Sequence, residues 1–194
     1  MEEIAILASG KGSNADRLCG HFKHHPLVRI RLIACDRKDA GVFDVARKHG
    51  ISSVYLSPSI RKEPGALLDL LRKNGITFII LAGYLRLVPA DVIAAFPRRI
   101  INLHPSLLPK FGGKGMFGMH VHEAVYAAGE KETGITIHFV NENYDEGDVI
   151  EQFRTDLIHG EGPAEIAYKI AQLETRHFAP TAEAVVLKAE EKAD

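Results

Sequence analysis

The sequence predicts an α/β protein in which helices cover both faces of an open, mostly parallel sheet. Short apolar runs recur along the first 104 residues, and most are followed by a stretch in which the apolar side chains have helical spacing. The runs at 3–8 and 77–82 are apolar almost throughout, which is typical of strands buried on both faces. Strands that alternate with helices in this way indicate a parallel sheet.

The elements of this first part follow one another at short intervals. The apolar runs predict strands at 3–8, 28–35, 53–56, 77–82 and 99–104. The helical patterns predict helices at 15–25, 42–49, 65–73 and 89–96, and the Pro-punctuated segment 57–64 is predicted as a loop. Pro26 and Gly50 end the first two helices, and Pro89 suits the first turn of the fourth.

The rest of the chain predicts an antiparallel addition to this sheet. It contains, in order, a glycine-rich loop at 107–119, a helix at 120–128, strands at 133–140 and 149–153, and a long helix at 163–191. The two strands are close enough in sequence to form a hairpin, and Pro180 is the position at which the long helix could break. Because there is no internal repeat, linker or second core, we expect one Rossmann-like domain over residues 1–194.

Composition restricts the partners that the chain could have. Of its 194 residues, 46% are hydrophobic and 25% charged, and the net charge is -1, so there is no basic excess that would indicate nucleic acid as a ligand. No apolar run approaches membrane-spanning length and no leader-like segment opens the chain, so we expect a cytoplasmic protein without a membrane partner. Cys19 and Cys35 match no paired-ligand spacing and are expected to be free thiols.

The turn after the first strand is a candidate anion site. Residues 9–14 read Ser-Gly-Lys-Gly-Ser-Asn, and two glycines before a helix let the backbone approach a ligand. Two other interpretations stay open. Gly10, Gly12 and Ala15 also fit a relaxed dinucleotide fingerprint in which Asp36 would bind a ribose, and a tight connection capped by Ser13 or Asn14 is the structural alternative.

The fifth predicted strand delivers a second candidate site. Asn102 and His104 lie on the same side of an extended chain, and Pro105 makes further regular pairing difficult. An amide and an imidazole at a strand end could stabilise negative charge on an oxygen, although a polar strand end with a capped turn would look the same. Ligands bind beyond the carboxyl ends of strands in such sheets, so both candidate sites are expected at one edge.

Three segments carry a resemblance to a known family. Residues 102–109 read Asn-Leu-His-Pro-Ser-Leu-Leu-Pro, the turn 9–14 is given above, and residues 144–147 read Tyr-Asp-Glu-Gly. Together these segments resemble the phosphoribosylglycinamide formyltransferase family, whose members are folate-dependent. The resemblance extends from about residue 4 to residue 180.

The resemblance implies a set of site residues and no metal. It implies a catalytic trio of Asn102, His104 and Asp145. It implies that the ribonucleotide substrate is held by Gly10, Lys11, Gly12, Ser13, Asn14 and Glu174. It implies that the folate pocket is formed by Tyr84, Leu85, Arg86, Leu87, Val88, Asn141, Glu142, Asn143 and Tyr144. The histidine pair His120 and His122 is expected to have a structural or substrate-contacting role, because helical geometry points the two side chains apart.

The reaction that the resemblance implies moves a formyl group from 10-formyltetrahydrofolate, as co-substrate, to the primary amine of 5-phosphoribosylglycinamide in de novo purine biosynthesis. Asn102 and His104 would stabilise the tetrahedral intermediate, and Asp145 would assist proton transfer. The partners would be these small molecules, and the protein a monomer or homodimer. The alternatives are a formyltetrahydrofolate deformylase, which is a hydrolase, and a dinucleotide-binding oxidoreductase or non-catalytic nucleotide-binding module.

Overall fold

A computed structural model describes residues 1–190 of the chain and contains a single seven-stranded sheet within that part. The strands are β1 (Glu2–Ala8), β2 (Val28–Cys35), β3 (Ser52–Tyr55), β4 (Phe78–Leu81), β5 (Ile100–His104), β6 (Glu132–Phe139) and β7 (Val149–Asp156). Their order in the sheet is β3-β2-β1-β4-β5-β6-β7. All pairs from β3 to β5 are parallel, and β6 pairs antiparallel with both β5 and β7. The predicted mostly parallel sheet with an antiparallel hairpin is confirmed.

Helices cover both faces of the sheet, as predicted. They are α1 (Ser13–Phe22), α2 (Val42–His49), α3 (Pro58–Lys62), α4 (Ala66–Lys73), α5 (Ala90–Ala95), α6 (Met119–Ala127) and α7 (Pro163–Glu190). Successive residues of β1 point to opposite faces: Ile4 and Ile6 join the core under α1, α2, α6 and α7, whereas Ala5 and Leu7 join the core under α4 and α5. The near-continuous apolar run in β1 is therefore explained by burial on both sides.

One sequence-based expectation about helices was wrong, and one open alternative is decided by the structure. The segment 57–64, predicted as a loop, contains α3, because Pro58 suits the first helical turn and the Ser57 hydroxyl accepts a hydrogen bond from the Ile60 N–H at 3.3 Å. Helix α7 continues through Pro180. Buried side chains on both sides of this proline, including Phe178 and Val186, pack into the core and offset the lost backbone hydrogen bond.

Some predictions extend beyond the part of the chain that the structure describes. The last residue of the helix predicted at 163–191 and the last four residues of the domain predicted at 1–194 lie outside it. One domain over the whole chain therefore stays a prediction. Cys19 and Cys35 are buried free thiols, as expected. Within residues 1–190, no helix is both long enough and apolar enough to cross a membrane.

The loops that follow β1, β4 and β5 meet at the carboxyl edge of the sheet. The backbone N–H of Ser9, which follows β1, donates to the Gly83 carbonyl after β4 at 3.0 Å, and the Ser9 hydroxyl accepts from the Leu85 N–H at 3.0 Å. The chain order reverses between β1 and β4, which is where ligands bind in open α/β sheets. The two sites predicted from sequence therefore share this edge.

Candidate active site

A cavity of about 440 Å³ opens at the carboxyl edge and joins members of all three predicted groups of residues. Its lining includes the predicted catalytic residues Asn102, His104 and Asp145, the predicted substrate residues Asn14 and Glu174, and the predicted folate residues Tyr84, Leu85, Arg86 and Tyr144. These residues come from α1, β5, α7 and the loops after β4 and β6. The fold therefore assembles one site from segments more than 150 residues apart, as the Asn14–Glu174 separation of 160 positions shows.

The Asn102 amide is held by a histidine on the neighbouring strand. The Asn102 Nδ2 donates to His138 Nε2 at 3.1 Å, and the His138 Nδ1 donates to the Phe139 carbonyl at 2.8 Å. This second bond fixes the proton on Nδ1 and leaves Nε2 as the acceptor. The remaining Asn102 hydrogen faces Asp145 Oδ1 at 3.4 Å, which is a long contact. That hydrogen is the one most easily given to a substrate oxygen.

His104 is buried between the loop after β5 and the loop after β6. Its Nε2 donates to the Phe111 carbonyl at 2.8 Å, and its Nδ1 lies 3.4 Å from Asp145 Oδ2. The side chain is 4% exposed. Because the carbonyl requires a proton on Nε2, a second proton on Nδ1 gives an imidazolium that faces a carboxylate.

Asp145 lies at the centre of these contacts. Its backbone φ of 57° falls in the left-handed region, which aspartate tolerates better than most residues, and the Gly113 N–H donates to Oδ2 at 2.9 Å. Burial by itself would raise the pKa of Asp145. The His104 imidazole and the Gly113 N–H outweigh burial and hold this pKa far below its usual value. Asp145 is therefore a carboxylate at neutral pH.

The glycine turn presents an uncapped helix end. Gly12 has φ 85° and is the residue that precedes α1, and no side chain caps the helix, so the structural alternative of a cap by Ser13 or Asn14 is not what the structure shows. A Cβ at Gly12 would lie 2.8 Å from a Val42 side-chain carbon, which adds a packing reason for glycine to the conformational one. The free N–H groups of the first turn remain available to an anion.

Asn14 and Glu174 join the glycine turn to α7. The Asn14 Nδ2 donates to Glu174 Oε2 at 3.0 Å, and Arg17 donates to Asn14 Oδ1 at 2.8 Å. Burial raises the pKa of Glu174, and the hydrogen bond from Asn14 offsets only part of that increase. The fold therefore keeps a poorly solvated carboxylate beside the helix end, where it can accept hydrogen bonds from ligand hydroxyls.

The segment after β4 contains a buried phenol and an ion pair. Burial raises the pKa of Tyr84 to about 12, so the phenol stays protonated. Arg86 Nε donates to Asp36 Oδ2 at 2.9 Å, and the Asp36 side chain is only 1% exposed. The Asp36 carboxylate is thus buried and its Oδ2 is engaged by an arginine, which argues against the dinucleotide interpretation.

Several predicted residues lie outside the main cavity. Leu87, Val88, Asn141 and Asn143 line a narrow neighbouring cleft of about 40 Å³, together with Tyr84, Arg86, Asn102, His138, Tyr144 and Asp145. Gly10 and Lys11 line a separate shallow depression with Arg37 and Lys38. Glu142 is exposed, and Gly12 and Ser13 are not part of the cavity wall.

Sequence reasoning did not assign a role in the site to His138 or Gly113, and it left His122 between a structural and a substrate-contacting role. In the β5–β6 register, Asn102 pairs with His138, so a polar residue in the alternating pattern of β6 was the available signal for this contact. His120 and His122 do point apart, as predicted: the His120 side chain is 66% exposed and lies 3.5 Å from Glu123, whereas His122 is buried in the cavity wall. Among residues 1–190, no group of three or more histidine, cysteine or acidic side chains is arranged to hold a metal ion.

Comparisons with known proteins agree on one family. The family model described as formyl transferase matches residues 2–182. Over 184 residues the chain is 38% identical to a chloroplastic phosphoribosylglycinamide formyltransferase of Arabidopsis thaliana, a match that covers 91% of this chain and 63% of the plant protein. Over 183 residues it is 32% identical to the phosphoribosylglycinamide formyltransferase of Bacillus subtilis, with 92% of this chain and 91% of that protein covered.

Solved structures give the same result. The crystal structure of glycinamide ribonucleotide transformylase 1 from Geobacillus kaustophilus matches with a TM-score of 0.86 at 32% identity, and covers 96% of this chain and 99% of that one. The chain spans 63% of the length of the Arabidopsis relative and 61% of that of a second plant relative, from Vigna unguiculata.

Proposed function

The chain belongs to the formyl transferase family, and on this premise we propose that it transfers a formyl group from 10-formyltetrahydrofolate to the primary amine of 5-phosphoribosylglycinamide, a step of de novo purine biosynthesis. One observation supports this function above the others. The cavity that contains Asn102, His104 and Asp145 also contains the Asn14–Glu174 pair beside an uncapped helix end. A site for oxyanion chemistry and a site for a phosphorylated sugar are thus continuous, as a ribonucleotide acceptor requires.

The reaction begins when the amine attacks the formyl carbon. The new carbon–nitrogen bond makes a tetrahedral intermediate whose oxygen carries negative charge. In our proposal, two donors turn to this oxygen. They are the Asn102 hydrogen that faces Asp145 at 3.4 Å and the His104 Nδ1 proton. Both contacts are long, so little is lost when a substrate oxygen replaces them.

Asp145 then assists the transfer of a proton. The attacking amine must lose a proton and the folate nitrogen must gain one before the carbon–folate bond breaks and the tetrahydrofolate leaves. Asp145 is a carboxylate that lies 3.4 Å from His104 Nδ1, and it relays the proton between the two nitrogens, through water where they are too far apart. The protonated imidazole is the stronger donor to the oxyanion.

The folate would lie against the segment after β4. Tyr84, Leu85 and Arg86 line the cavity, and the narrow cleft beside them contains Asn141 and Asn143. The proposal carries with it the sequence-based expectations of a cytoplasmic protein that is a monomer or homodimer.

Formyl transfer by the purified protein tests this function. Release of folate product from 10-formyltetrahydrofolate is followed with and without 5-phosphoribosylglycinamide. We expect product only when the ribonucleotide is present, and its loss in Asn102→Ala. Equal release without the ribonucleotide would identify a deformylase, and no release with either would reject formyl chemistry for this chain.

A further inference from the structure

His122 lies in the wall of the active-site cavity without a hydrogen-bond partner. It belongs to α6, is 6% exposed, and lines the cavity together with His104. Its Nδ1 is completely buried and unpartnered, and no hydrogen bond to either ring nitrogen is formed within residues 1–190. A buried polar group without a partner costs free energy, so its presence beside the reacting groups needs an explanation.

The surroundings of His122 determine where its proton sits. A proton on Nδ1 would be buried without an acceptor, so the favoured neutral tautomer has its proton on Nε2, the ring nitrogen that is not fully enclosed. Burial lowers the pKa of His122, and the neighbouring His104 imidazole lowers it further. The side chain is therefore a neutral imidazole in the cavity wall, and Nε2–H is its one donor for a ligand.

The acceptor for this donor follows from the substrates of the proposed function, on which this inference rests. The formyl oxygen is assigned to Asn102 and His104, and the phosphate to the end of α1. The ribonucleotide has one further strong acceptor near the attacking amine, the carbonyl oxygen of its glycyl amide. The carbon of this carbonyl is bonded directly to the carbon that bears the amine. A donor close to His104 is placed for this oxygen once the amine approaches the formyl carbon.

We propose that His122 donates a hydrogen bond from Nε2 to the glycyl carbonyl of the ribonucleotide, and so positions the amine and selects acceptors that carry this amide. His122 is then a substrate-contacting residue that takes no proton during the reaction. One neutral hydrogen bond changes affinity by about three- to tenfold. The effect should therefore appear in ribonucleotide binding, whereas the formyl-folate site should not change.

Two replacements at position 122 separate donation from other roles. His122→Phe keeps a ring of similar shape without a donor, and His122→Gln places an amide N–H near the position of Nε2 but cannot act as a base at neutral pH. His120→Gln is the matched control, because its side chain is 66% exposed and lies on the same helix. Thermal unfolding of all variants establishes that they are folded. If His122→Phe does not fold, His122→Asn replaces it, since its shorter amide does not reach the Nε2 position.

The measurements are steady-state kinetics for both substrates and calorimetric binding of 5-phosphoribosylglycinamide alone. We expect His122→Phe to raise KM and Kd for the ribonucleotide about three- to tenfold with KM for 10-formyltetrahydrofolate unchanged, and His122→Gln to restore most of this loss. Unchanged ribonucleotide binding in His122→Phe, or a folded His122→Gln as defective as His122→Phe, would overturn the inference while wild-type transfer stands. A wild-type protein without ribonucleotide-dependent transfer overturns the proposed function and this inference together.

Discussion

Two cavities at opposite edges of the sheet differ in how their polar groups are satisfied. The larger one, about 550 Å³, lies at the start of β5 and is lined by Arg98 and Arg99. Arg98 donates to Asp148 at 2.8 Å, and Arg99 donates to Glu2 at 2.9 Å and to the Ala189 carbonyl at 2.8 Å. The guanidinium groups of both arginines are thus already paired with protein groups.

The carboxyl-edge cavity is smaller, about 440 Å³, and its polar groups are less well paired. The contacts of Asn102 and His104 with Asp145 are 3.4 Å long, and His122 has a buried nitrogen without a partner. The comparison teaches that volume does not mark the site. The candidate site is marked instead by buried polar groups that converge and retain hydrogen-bonding capacity. A ligand can form the missing hydrogen bonds of these groups at little energetic cost.

The strongest test of this contrast removes the proposed oxyanion donors. Asn102→Ala and His104→Ala should each lower kcat by about a hundred- to a thousandfold, since one donor is lost from the transition state. Turnover with saturating substrates measures this effect. Arg99→Gln in the larger cavity is the control and should leave kcat within about twofold in the folded protein. Near-normal turnover in either donor variant would remove the proposed mechanism.

The next largest effect is expected on protein stability, from the charge of Asp145. Because its pKa is depressed in the folded state, Asp145 contributes stability that is present above its unfolded pKa of about 3.9 and is lost as pH falls through the lower folded value. Asp145→Asn removes this contribution, so the variant should be less stable than wild type at pH 7 by at least about 1 kcal/mol. Urea unfolding at pH 7 and below pH 4 measures the difference, which should shrink at the lower pH. A difference in unfolding free energy that does not change with pH would mean that the charge of Asp145 does not stabilise the loop.

The sequence identified those parts of the site that depend on local pattern. Alternation along β5 placed Asn102 and His104 together, and the resemblance carried by 102–109 and 144–147 is confirmed by the family match over residues 2–182. The contacts that hold them were not predictable in the same way. The Asn102 bond to His138 depends on the register between two strands 36 positions apart, and the Gly113 bond to Asp145 depends on how two loops fold against each other.

Local rules also failed where tertiary packing decides. Pro180 usually interrupts a helix, but burial of its neighbours in the core keeps α7 continuous. Ser13 and Asn14 are good capping residues, yet Gly12 takes the capping position because its left-handed backbone turns the chain against Val42. The orientation of His122 depends on where α6 docks after a glycine-rich loop, which no short sequence pattern specifies.

Replacing Glu174 should raise the stability of the protein and weaken its binding of the ribonucleotide. Its folded pKa is raised, so its contribution to stability is present below the unfolded pKa of about 4.3 and is lost as pH rises through the folded value. Glu174→Gln should therefore unfold at a higher temperature than wild type at pH 7, and the gain should shrink below pH 4. Its KM for 5-phosphoribosylglycinamide should rise about tenfold, because a carboxylate accepts stronger hydrogen bonds from hydroxyls. Glu165→Gln, at an exposed position of α7, is the control, and an unchanged KM in Glu174→Gln would exclude the proposed ribose contact.

The smallest effect is expected from Arg98→Ala in the larger cavity. Arg98 and Asp148 are 65% and 76% exposed, and the guanidinium lies 4.2 Å from the Phe139 ring centre. An exposed ion pair and a solvated cation–π contact contribute little, so the free energy of unfolding should fall by no more than about 1 kcal/mol. Formyl transfer should stay within about twofold of wild type, because neither Arg98 nor Asp148 lines the carboxyl-edge cavity. Urea unfolding and the formyl-transfer assay measure the two quantities on the same preparation. A tenfold loss of transfer in a fully folded Arg98→Ala would mean that the larger cavity takes part in the reaction, and that pairing of its charges is a poor guide to which edge of the sheet is used.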